Sequence, residues 1–510
     1  MSGKADKKML VGLNVFDSDV LNSKPAFELT AGGGIPLDYV VCHFDPYKTS
    51  LEEAEKNAKT VGEKFKELGM DFVANFEFQN FKYDCASPDG AQWAYNGEGL
   101  HRLELPGEYA EVLASCGNLA GIEYDELEHC IINGNLTIEL SSKGKIKAPV
   151  FPLSESSDPC VQEEALCGQL KEYADKIKRN GSPALTGEHV FPVLFHVFAR
   201  SGIIPNFKSQ KESCSNLQFA VAAGAALEYG TPLWNCVDLW YRLKNPGHSP
   251  DELYSNLEFA YFAGVNRVYV ESSHPMVKDG ALTEHGIKFK EFCEKYRGKD
   301  RDYDVSDYTP EICIIRQDDS FWGQWDPVAW KNMLFGNKNV KPDKRSKEYL
   351  KALNTLTYGR SFKSGLSWDR IGFSFLTRHR SFLPMNSLAV FDDRVGFEAL
   401  KSVKLCFICG RTLSEETAAA VDKLVNENGM IAVTTADHLP AELKGKVKGS
   451  YCEIKSGNGS YIAVKNFRSR KLKKRIKPFL YDDEHIRLTF GEKEIKLKIS
   501  PNGETFEITE

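Results

Sequence analysis

Two short apolar runs that each stop on a carboxylate are the residues of this chain best suited to chemistry. Residues 121–126 read Gly-Ile-Glu-Tyr-Asp-Glu, and residues 267–271 read Arg-Val-Tyr-Val-Glu. In an enzyme barrel, the C-terminal ends of the strands face the active site. Glycosidic bond cleavage needs two carboxylates, one to donate a proton and one to attack the sugar or to activate water. We therefore interpret Glu126 and Glu271 as the candidate catalytic pair of a carbohydrate-active enzyme.

The acidic residues around Glu126 leave the identity of the general acid open. Glu123, Asp125, Glu126 and Glu128 lie close together in the sequence, and like charges in one place raise the pKa of at least one carboxyl group. A raised pKa is what a general acid needs near neutral pH. Either Asp125 or Glu126 could fill that role, and an acidic helix N-terminus would explain the same pattern without catalysis.

The elements that position these residues alternate between short apolar runs and helical patterns. The helix expected over residues 51–68 is the clearest, because its apolar residues recur at intervals of three and four. Eight runs predict strands: Leu10–Phe16, Asp38–Phe44, Phe72–Phe78, Leu119–Asp125, Gly202–Phe207, Pro232–Val237, Arg267–Glu271 and Ile312–Gln317. Eight such units predict a (β/α)₈ TIM barrel. An open doubly wound sheet is the alternative, but no Gly-rich phosphate turn follows the first strand.

Charged and aromatic residues at or after these strand ends are candidates for substrate binding. Trp322, after the last expected strand, would form the floor of a sugar subsite or would be a core residue. The full candidate set is Asn14, His43, Glu77, Asp125, Lys208, Glu212, Trp234, Asp238, Arg316, Asp318 and Trp322.

The pattern changes after the expected barrel. A strand, a helix and a second strand are predicted between residues 404 and 435, and short strands with Asn-Gly turns follow from residue 449. We expect a catalytic barrel over residues 1–383, an α/β domain over 384–446, and a small antiparallel β-domain over 447–510.

This layout resembles the retaining glycoside hydrolases of the large barrel clan, especially its β-galactosidase-like members. The resemblance rests on the segment from Leu388 to His438, with Phe-Ile-Cys-Gly-Arg-Thr-Leu-Ser-Glu-Glu at 407–416 and Glu-Asn-Gly-Met-Ile-Ala-Val at 427–433. It implies a flavodoxin-like or glutamine-amidotransferase-like α/β domain after the barrel, and then a small β-domain. The segment lacks the Gly-x-Cys-x-Gly turn of an active amidotransferase, so packing or contact within a homo-oligomer is its expected role.

In that clan the acid/base glutamate ends strand four, usually after an asparagine, and the nucleophile ends strand seven. By the count above, Glu126 and Glu271 hold those places. Asp125 stands where the clan prefers asparagine, which puts the assignment of the acid in question. The resemblance implies a retaining double displacement on an oligosaccharide or glycoside, with neither a metal nor another cofactor.

Bulk composition excludes several other classes of partner. The 65 basic and 71 acidic residues give a formal charge of −6, which argues against nucleic acid or an anionic membrane as the main partner. No apolar run is long enough to cross a bilayer, and the N-terminus lacks the apolar stretch of a signal peptide. We expect a cytoplasmic protein, or an exported one from which the leader is absent.

Three rival functions remain open from the sequence. The first is a metal-dependent sugar isomerase or epimerase, whose divalent site would draw on His43, Glu77, Glu126, His129, Glu212 and Glu271. The second is a hydrolase of α-linked sugars that uses Asp125 with Asp238. The third is a barrel that binds carbohydrate without turning it over.

Overall fold

The computed structural model describes residues 7–46, 49–76, 107–132, 154–211, 213–239, 247–322, 333–360 and 380–509. Eight parallel strands close into a barrel in which each strand pairs with the next, and the last pairs with the first. They are β1 (Leu10–Phe16), β2 (Tyr39–His43), β3 (Asp71–Asn75), β4 (Leu119–Tyr124), β5 (Leu185–His189), β6 (Ile204–Ser209), β7 (Trp234–Asp238) and β8 (Arg267–Glu271). The predicted TIM barrel is confirmed, and further sheets follow it along the chain.

Helices connect the barrel strands. They are α1 (Asp17–Leu21), α2 (Pro25–Glu28), α3 (Leu51–Glu67), α4 (Gly107–Ser115), α5 (Leu127–Ile132), α6 (Pro159–Arg179), α7 (Phe195–Arg200), α8 (Ser215–Tyr229), α9 (Pro250–Phe262) and, after β8, α10 (Glu284–Tyr296). Local sequence sets their ends: the Ser50 side chain accepts the Glu53 backbone N–H at the start of α3, which satisfies a donor that the helix leaves unpaired. Gly230, with φ 63°, ends α8 because glycine adopts the left-handed conformation without steric cost. Among the described helices, none is both long and apolar enough to span a membrane.

The barrel contains a fifth strand that the sequence analysis missed. The segment Leu185–His189 lies between β4 and β6, and it is not among the eight predicted strands. Its residues, Leu-Thr-Gly-Glu-His, form no apolar run. The residue that faces the barrel interior is Glu188, whose polar partners there replace the apolar contacts of an ordinary buried strand. Every later strand therefore moves up by one place, so that Glu271 ends β8 and Asp238 ends β7.

The predicted strand beginning at Ile312 belongs to a different sheet. The strands β11 (Ile312–Ile315), β13 (Leu388–Phe391), β14 (Leu405–Ile408), β15 (Ile431–Thr434), β16 (Tyr451–Ser456) and β17 (Gly459–Val464) form a six-stranded sheet. Its order is β13-β11-β14-β15-β17-β16, parallel except for β16. One sheet thus takes strands from both sides of the boundaries expected at residues 383 and 446.

The remaining elements complete the C-terminal half and a small hairpin on the barrel. The strands β9 (Val277–Lys278) and β10 (Ala281–Leu282) form the hairpin, and a four-stranded sheet contains β12 (Met385–Asn386), β18 (His485–Phe490), β19 (Lys493–Ile499) and β20 (Phe506–Thr509). The helices of this half are α11 (Glu348–Leu356), α12 (Phe397–Leu400), α13 (Glu415–Asn428), α14 (Ala441–Lys444) and α15 (Arg470–Ile476).

The barrel packs closely against the six-stranded sheet. A Cβ atom at Gly224 of α8 would overlap the carbonyl oxygen of Val390 in β13, so helix and strand are in backbone contact. A buried ion pair joins Arg316 Nη2 to Asp318 Oδ1 at 2.6 Å, and Asp318 Oδ2 lies 3.6 Å from Nδ1 of His196 in α7. Polar contacts therefore cross the junction beside the apolar ones.

Candidate active site

Inward-facing residues near the C-terminal ends of the barrel strands form one polar cluster. Alternate residues of a strand share a face, which places Glu123, Glu188, Lys208, Asp238 and Glu271 inside the barrel. All except Glu271 are almost completely buried. The opposite end of the barrel is filled instead by Tyr39, Trp234 and Arg267, whose guanidinium group lies over both aromatic rings.

Lys208 is the centre of this cluster. Its Nζ atom lies within 4 Å of five carboxylates: 2.8 Å from Glu271 Oε2, 3.0 Å from Glu126 Oε1, 3.4 Å from Glu188 Oε2, 3.5 Å from Asp238 Oδ2 and 3.6 Å from Asp125 Oδ1. Burial alone would lower the pKa of Lys208, but the neighbouring carboxylates, with Asp125 foremost, raise that pKa well above its usual value. Lys208 is therefore an ammonium ion that neutralises part of a concentrated negative charge.

Both members of the candidate catalytic pair contact this ammonium group. Because Nζ is 3.0 Å from Glu126 Oε1 and 2.8 Å from Glu271 Oε2, those two oxygens are no more than about 6 Å apart. The side chains of Glu126 and Glu271 are 17% and 13% exposed, whereas Asp125 and Asp238 are each 1% exposed. Of these four carboxylates, only the first two face the open end of the barrel.

The backbone is strained where the chain leaves β4 and β8. Glu126 has φ 51° and Ser272, directly after Glu271, has φ 72°. Residues other than glycine adopt this left-handed conformation at a cost of about 1–3 kcal/mol, and such residues concentrate at functional sites. Both members of the candidate pair are thus held at turns that the surrounding structure has to enforce.

A second group of polar side chains lies beneath Lys208. Glu123 accepts hydrogen bonds from Asn206 Nδ2 at 2.6 Å and from Tyr269 Oη at 2.9 Å, and Asn75 Nδ2 lies 3.3 Å away. Burial, followed by the nearby charge of Asp125, raises the pKa of Glu123 to about 7. The same two causes raise the pKa of Glu188 well above its usual value. Carboxylic acids that stay neutral near pH 7 are therefore expected in the barrel interior.

Two other predicted binding residues join the site wall. His43 Nε2 lies 3.8 Å from Asp125 Oδ2. Asn14 is fully buried on β1, and within the described part of the chain its amide group forms no hydrogen bond. The structure therefore brings together His43, Asp125, Glu126, Lys208, Asp238 and Glu271, while Asn14 is buried on the neighbouring strand β1.

Other predicted binding residues lie elsewhere. Trp234 is the first residue of β7 and packs against Arg267 at the opposite end of the barrel, with the guanidinium carbon 4.8 Å from the ring centroid. The strand β7 begins, rather than ends, at this residue, which places Trp234 away from the strand ends that carry the candidate site. Arg316 and Asp318 follow β11 of the six-stranded sheet and form the buried ion pair described above.

Trp322 is buried and stacks on Phe191, which follows β5, with ring centroids 4.0 Å apart. This contact is the packing that a core tryptophan makes, and it joins the segment after β11 to the barrel. Glu77 and Glu212 lie outside the described residues, as does the side chain of His129, so their predicted roles remain predictions.

Several residues of the site were not predicted from the sequence. Tyr269 and Asn206 could have been found, because each lies two residues before a predicted site residue and so shares its face of the strand. Glu188 could not, since its strand was not recognised. Cys236 shows the same spacing before Asp238, and its thiol contacts Glu271 Oε2 at 3.6 Å.

One group among the described residues could hold a metal ion. Ligand atoms of Glu188, Cys236 and Glu271 lie within 4.8 Å of one another. However, Lys208 Nζ is 3.4 Å from Glu188 and 2.8 Å from Glu271. The ammonium ion supplies the positive charge that a cation would bring, and the donors present fit a divalent ion only if Lys208 moves away.

Comparisons with known proteins found no matching family model and no matching curated protein. Solved structures with a similar chain path include a GH5_18 protein from Bifidobacterium longum subsp. longum, at 13% identity over 78% of this chain and 97% of that one, with a TM-score of 0.46. Another is the catalytic module of a family 98 glycoside hydrolase from Streptococcus pneumoniae, at 10% identity over 98% of this chain and 80% of that one, with a TM-score of 0.44. The catalytic domain of β-amylase from Paenibacillus polymyxa is 11% identical over 57% and 99% of the two chains, with a TM-score of 0.38. These similarities are weak and do not identify the reaction of this chain.

Proposed function

We propose that this protein is a glycoside hydrolase that retains anomeric configuration, with Glu271 as nucleophile and Glu126 as acid/base. The observation that carries the proposal is the spacing of their carboxylate oxygens, at most about 6 Å. Retaining enzymes place the two carboxyl groups about 5–5.5 Å apart, and inverting enzymes about 6.5–9.5 Å apart. The upper limit for this pair of oxygens lies below the inverting range, which favours the shorter, retaining separation of the two carboxyl groups.

The proposed reaction has two steps. Glu271 attacks the anomeric carbon while Glu126 gives a proton to the departing glycosidic oxygen, which leaves a sugar ester on Glu271. Glu126 then removes a proton from water, which displaces Glu271 from the same carbon. Five carboxylates around one ammonium group cannot all be ionised without strong repulsion, so the site favours retention of at least one proton.

Exposure supports Glu126 and Glu271 over the alternative pair of Asp125 and Asp238. Both aspartates are 1% exposed, and Asp125 also accepts a hydrogen bond from Asn75 Nδ2 at 2.8 Å. A sugar ring that enters from the C-terminal end of the barrel meets the two glutamates first. The resemblance noted above expects the nucleophile at the end of strand seven, which is Asp238 in the structure, so this alternative has to be tested directly.

The decisive experiment is covalent trapping. A panel of 2-deoxy-2-fluoro glycosides with good leaving groups would be incubated with the protein, and the labelled peptide would be located by mass spectrometry. We expect the label on Glu271. A label on Asp238 would transfer the nucleophile role to β7, and hydrolysis with inverted configuration in an NMR assay would refute double displacement.

Matched variants separate catalysis from binding. Glu271→Gln should abolish turnover of any glycoside that the wild-type protein hydrolyses and should still bind it, since the amide keeps the shape of the side chain. Asp238→Asn, with the same chemical change beside the same ammonium group, should retain measurable turnover. If the wild-type protein binds sugars from the panel but hydrolyses none, the chain is a carbohydrate-binding barrel instead.

A further inference from the structure

Tyr269 joins two buried carboxyl groups beneath the candidate catalytic pair. Its hydroxyl oxygen lies 2.9 Å from Glu123 Oε1 and 2.9 Å from Glu188 Oε1. It also accepts a hydrogen bond from Asn206 Nδ2 at 3.2 Å. Burial raises the pKa of Tyr269 well above its usual value, so the phenol carries its one proton at neutral pH.

One phenol proton cannot satisfy two ionised carboxylates. If Tyr269 donates to Glu188, then Glu123 presents an oxygen to the phenol oxygen at 2.9 Å with no hydrogen between them, and the reverse holds if the phenol donates to Glu123. Two bare oxygens at that distance repel one another, and the amide donors that Asn206 and Asn75 offer to Glu123 do not relieve that contact. A second proton, carried by one of the carboxyl groups, removes this conflict.

We propose that Glu123 and Glu188 share one proton through Tyr269, so that the interior of the barrel holds a neutral carboxylic acid directly below Lys208. In one arrangement Glu188 donates to Tyr269 and Tyr269 donates to Glu123, and in the other both hydrogen bonds reverse. The net charge of the three groups is −1 in each arrangement, and no proton enters or leaves.

Burial and the nearby carboxylate of Asp125 favour this state, while the positive charge of Lys208 opposes it. The described charged or titratable groups that face the cluster are Tyr39 and His43 on β2, Asp125 and Glu126 after β4, Lys208 on β6, Cys236 and Asp238 on β7, and Glu271 on β8. Lys208 supplies one positive charge against five carboxylates within 3.6 Å of its ammonium group. Neutralising Glu188 lowers the repulsion and leaves more of the Lys208 charge to Glu126 and Glu271.

The shared proton makes Glu188 and Tyr269 positioning residues. Glu188 Oε2 lies 3.4 Å from Lys208 Nζ, and Lys208 contacts both members of the candidate pair. This effect on the reaction rests on the proposed glycosidase function. The shared proton itself does not depend on that function and can be measured in the protein without any substrate.

Infrared difference spectroscopy of the full-length protein at pH 7 tests the proposal. A neutral carboxylic acid has a carbonyl stretch at higher frequency than an ionised carboxylate, and the band shifts in D₂O. We expect this band to be weaker by one carboxyl group in both Glu123→Gln and Glu188→Gln. In each variant the amide NH₂ donates to Tyr269, Tyr269 donates to the remaining carboxylate, and no further proton is needed.

Two controls define the other outcomes. Glu163→Gln removes a separate buried carboxyl group, and burial raises the pKa of Glu163 to about 8. The decrease in the carbonyl band that this variant causes should add to the decrease caused by Glu123→Gln or Glu188→Gln. Asp238→Asn removes a carboxylate of the Lys208 cluster that is outside the Tyr269 triad, and the triad band should persist. An unchanged band in either Glu123→Gln or Glu188→Gln would overturn the proposal, whether or not glycosidase activity is found.

Discussion

At the scale of single residues, the site depends on a charge balance that one side chain maintains. Lys208 is the single described ammonium group in contact with the five carboxylates of the cluster. Removing one partner of a buried ion pair costs about 3–5 kcal/mol, because the remaining charge is left uncompensated. The residue types at most strand ends could be predicted from the sequence, but their assembly around a central lysine could not, since it depends on how the barrel closes.

We predict that Lys208→Met destabilises the protein more at pH 8 than at pH 5. Because the pKa of Lys208 is raised in the folded protein, its contribution to the stability of the wild type is fully present below about pH 10.4, the ordinary pKa of lysine. Without it, the folded-state pKa values of the carboxyl groups rise above their unfolded values near 4, so the stability of the variant falls as the pH rises. Chemical denaturation at both pH values measures the difference.

The control for this prediction is Lys278→Met, which removes an exposed lysine on β9 and should change the free energy of unfolding by no more than about 0.5 kcal/mol. If Lys208→Met loses the same free energy at pH 5 and at pH 8, the carboxyl groups do not respond to the ammonium group as described.

We predict that Glu126→Gln lowers turnover by about 10²–10⁴-fold, the usual contribution of a general acid. The loss should be largest for glycosides with poor leaving groups, because their departing oxygen needs the proton most. Measuring kcat against leaving-group pKa in the variant and in the wild type tests this. A uniform loss across the series would indicate that Glu126 positions the substrate rather than protonating it.

At the scale of elements, two strands show what a sequence pattern can and cannot predict. The apolar residues of β11 predict a buried strand correctly, but they do not show which parallel sheet the strand joins, because both sheets bury both faces. The strand β5 was not predicted because it lacks the apolar run that marked β11. Its inward-facing residue is Glu188, which contacts Lys208 in the candidate site. The sequence therefore predicted the barrel, but the positions of its last strands in the barrel order follow only from which strands pair with one another.

The turn after β8 gives a prediction at this scale. Ser272 has φ 72°, so Ser272→Gly should be tolerated, whereas the β-branched Ser272→Val should cost about 1–2 kcal/mol. The valine variant should also lose activity, because its backbone strain displaces the adjacent Glu271. Denaturation and activity assays on both variants check this. Equal behaviour of the two would show that the left-handed turn does not hold Glu271 in place.

At the scale of the whole molecule, the barrel and the six-stranded sheet are joined by close packing and by buried polar groups. His196 of α7 lies 3.6 Å from Asp318 and also contacts the Val390 carbonyl oxygen at 2.9 Å. Arg316 and Asp318 were predicted as sugar-binding residues because charged groups follow an apparent barrel strand. In the structure the same charges stabilise the junction, which a pattern at one strand end cannot distinguish from a site.

Gly224 provides the sharpest test of this junction, because α8 and β13 meet there in backbone contact. Gly224→Ala places a methyl group against the Val390 carbonyl, and overpacking of this kind costs about 1–3 kcal/mol. Gly168→Ala is the matched control: it lies within α6, and no neighbouring atom is within 4 Å of its added Cβ. That control should gain about 0.5–1 kcal/mol from the better helix propensity of alanine. Opposite changes in the free energy of unfolding are therefore expected, and a stabilised Gly224→Ala would mean that the helix and the sheet do not pack this closely.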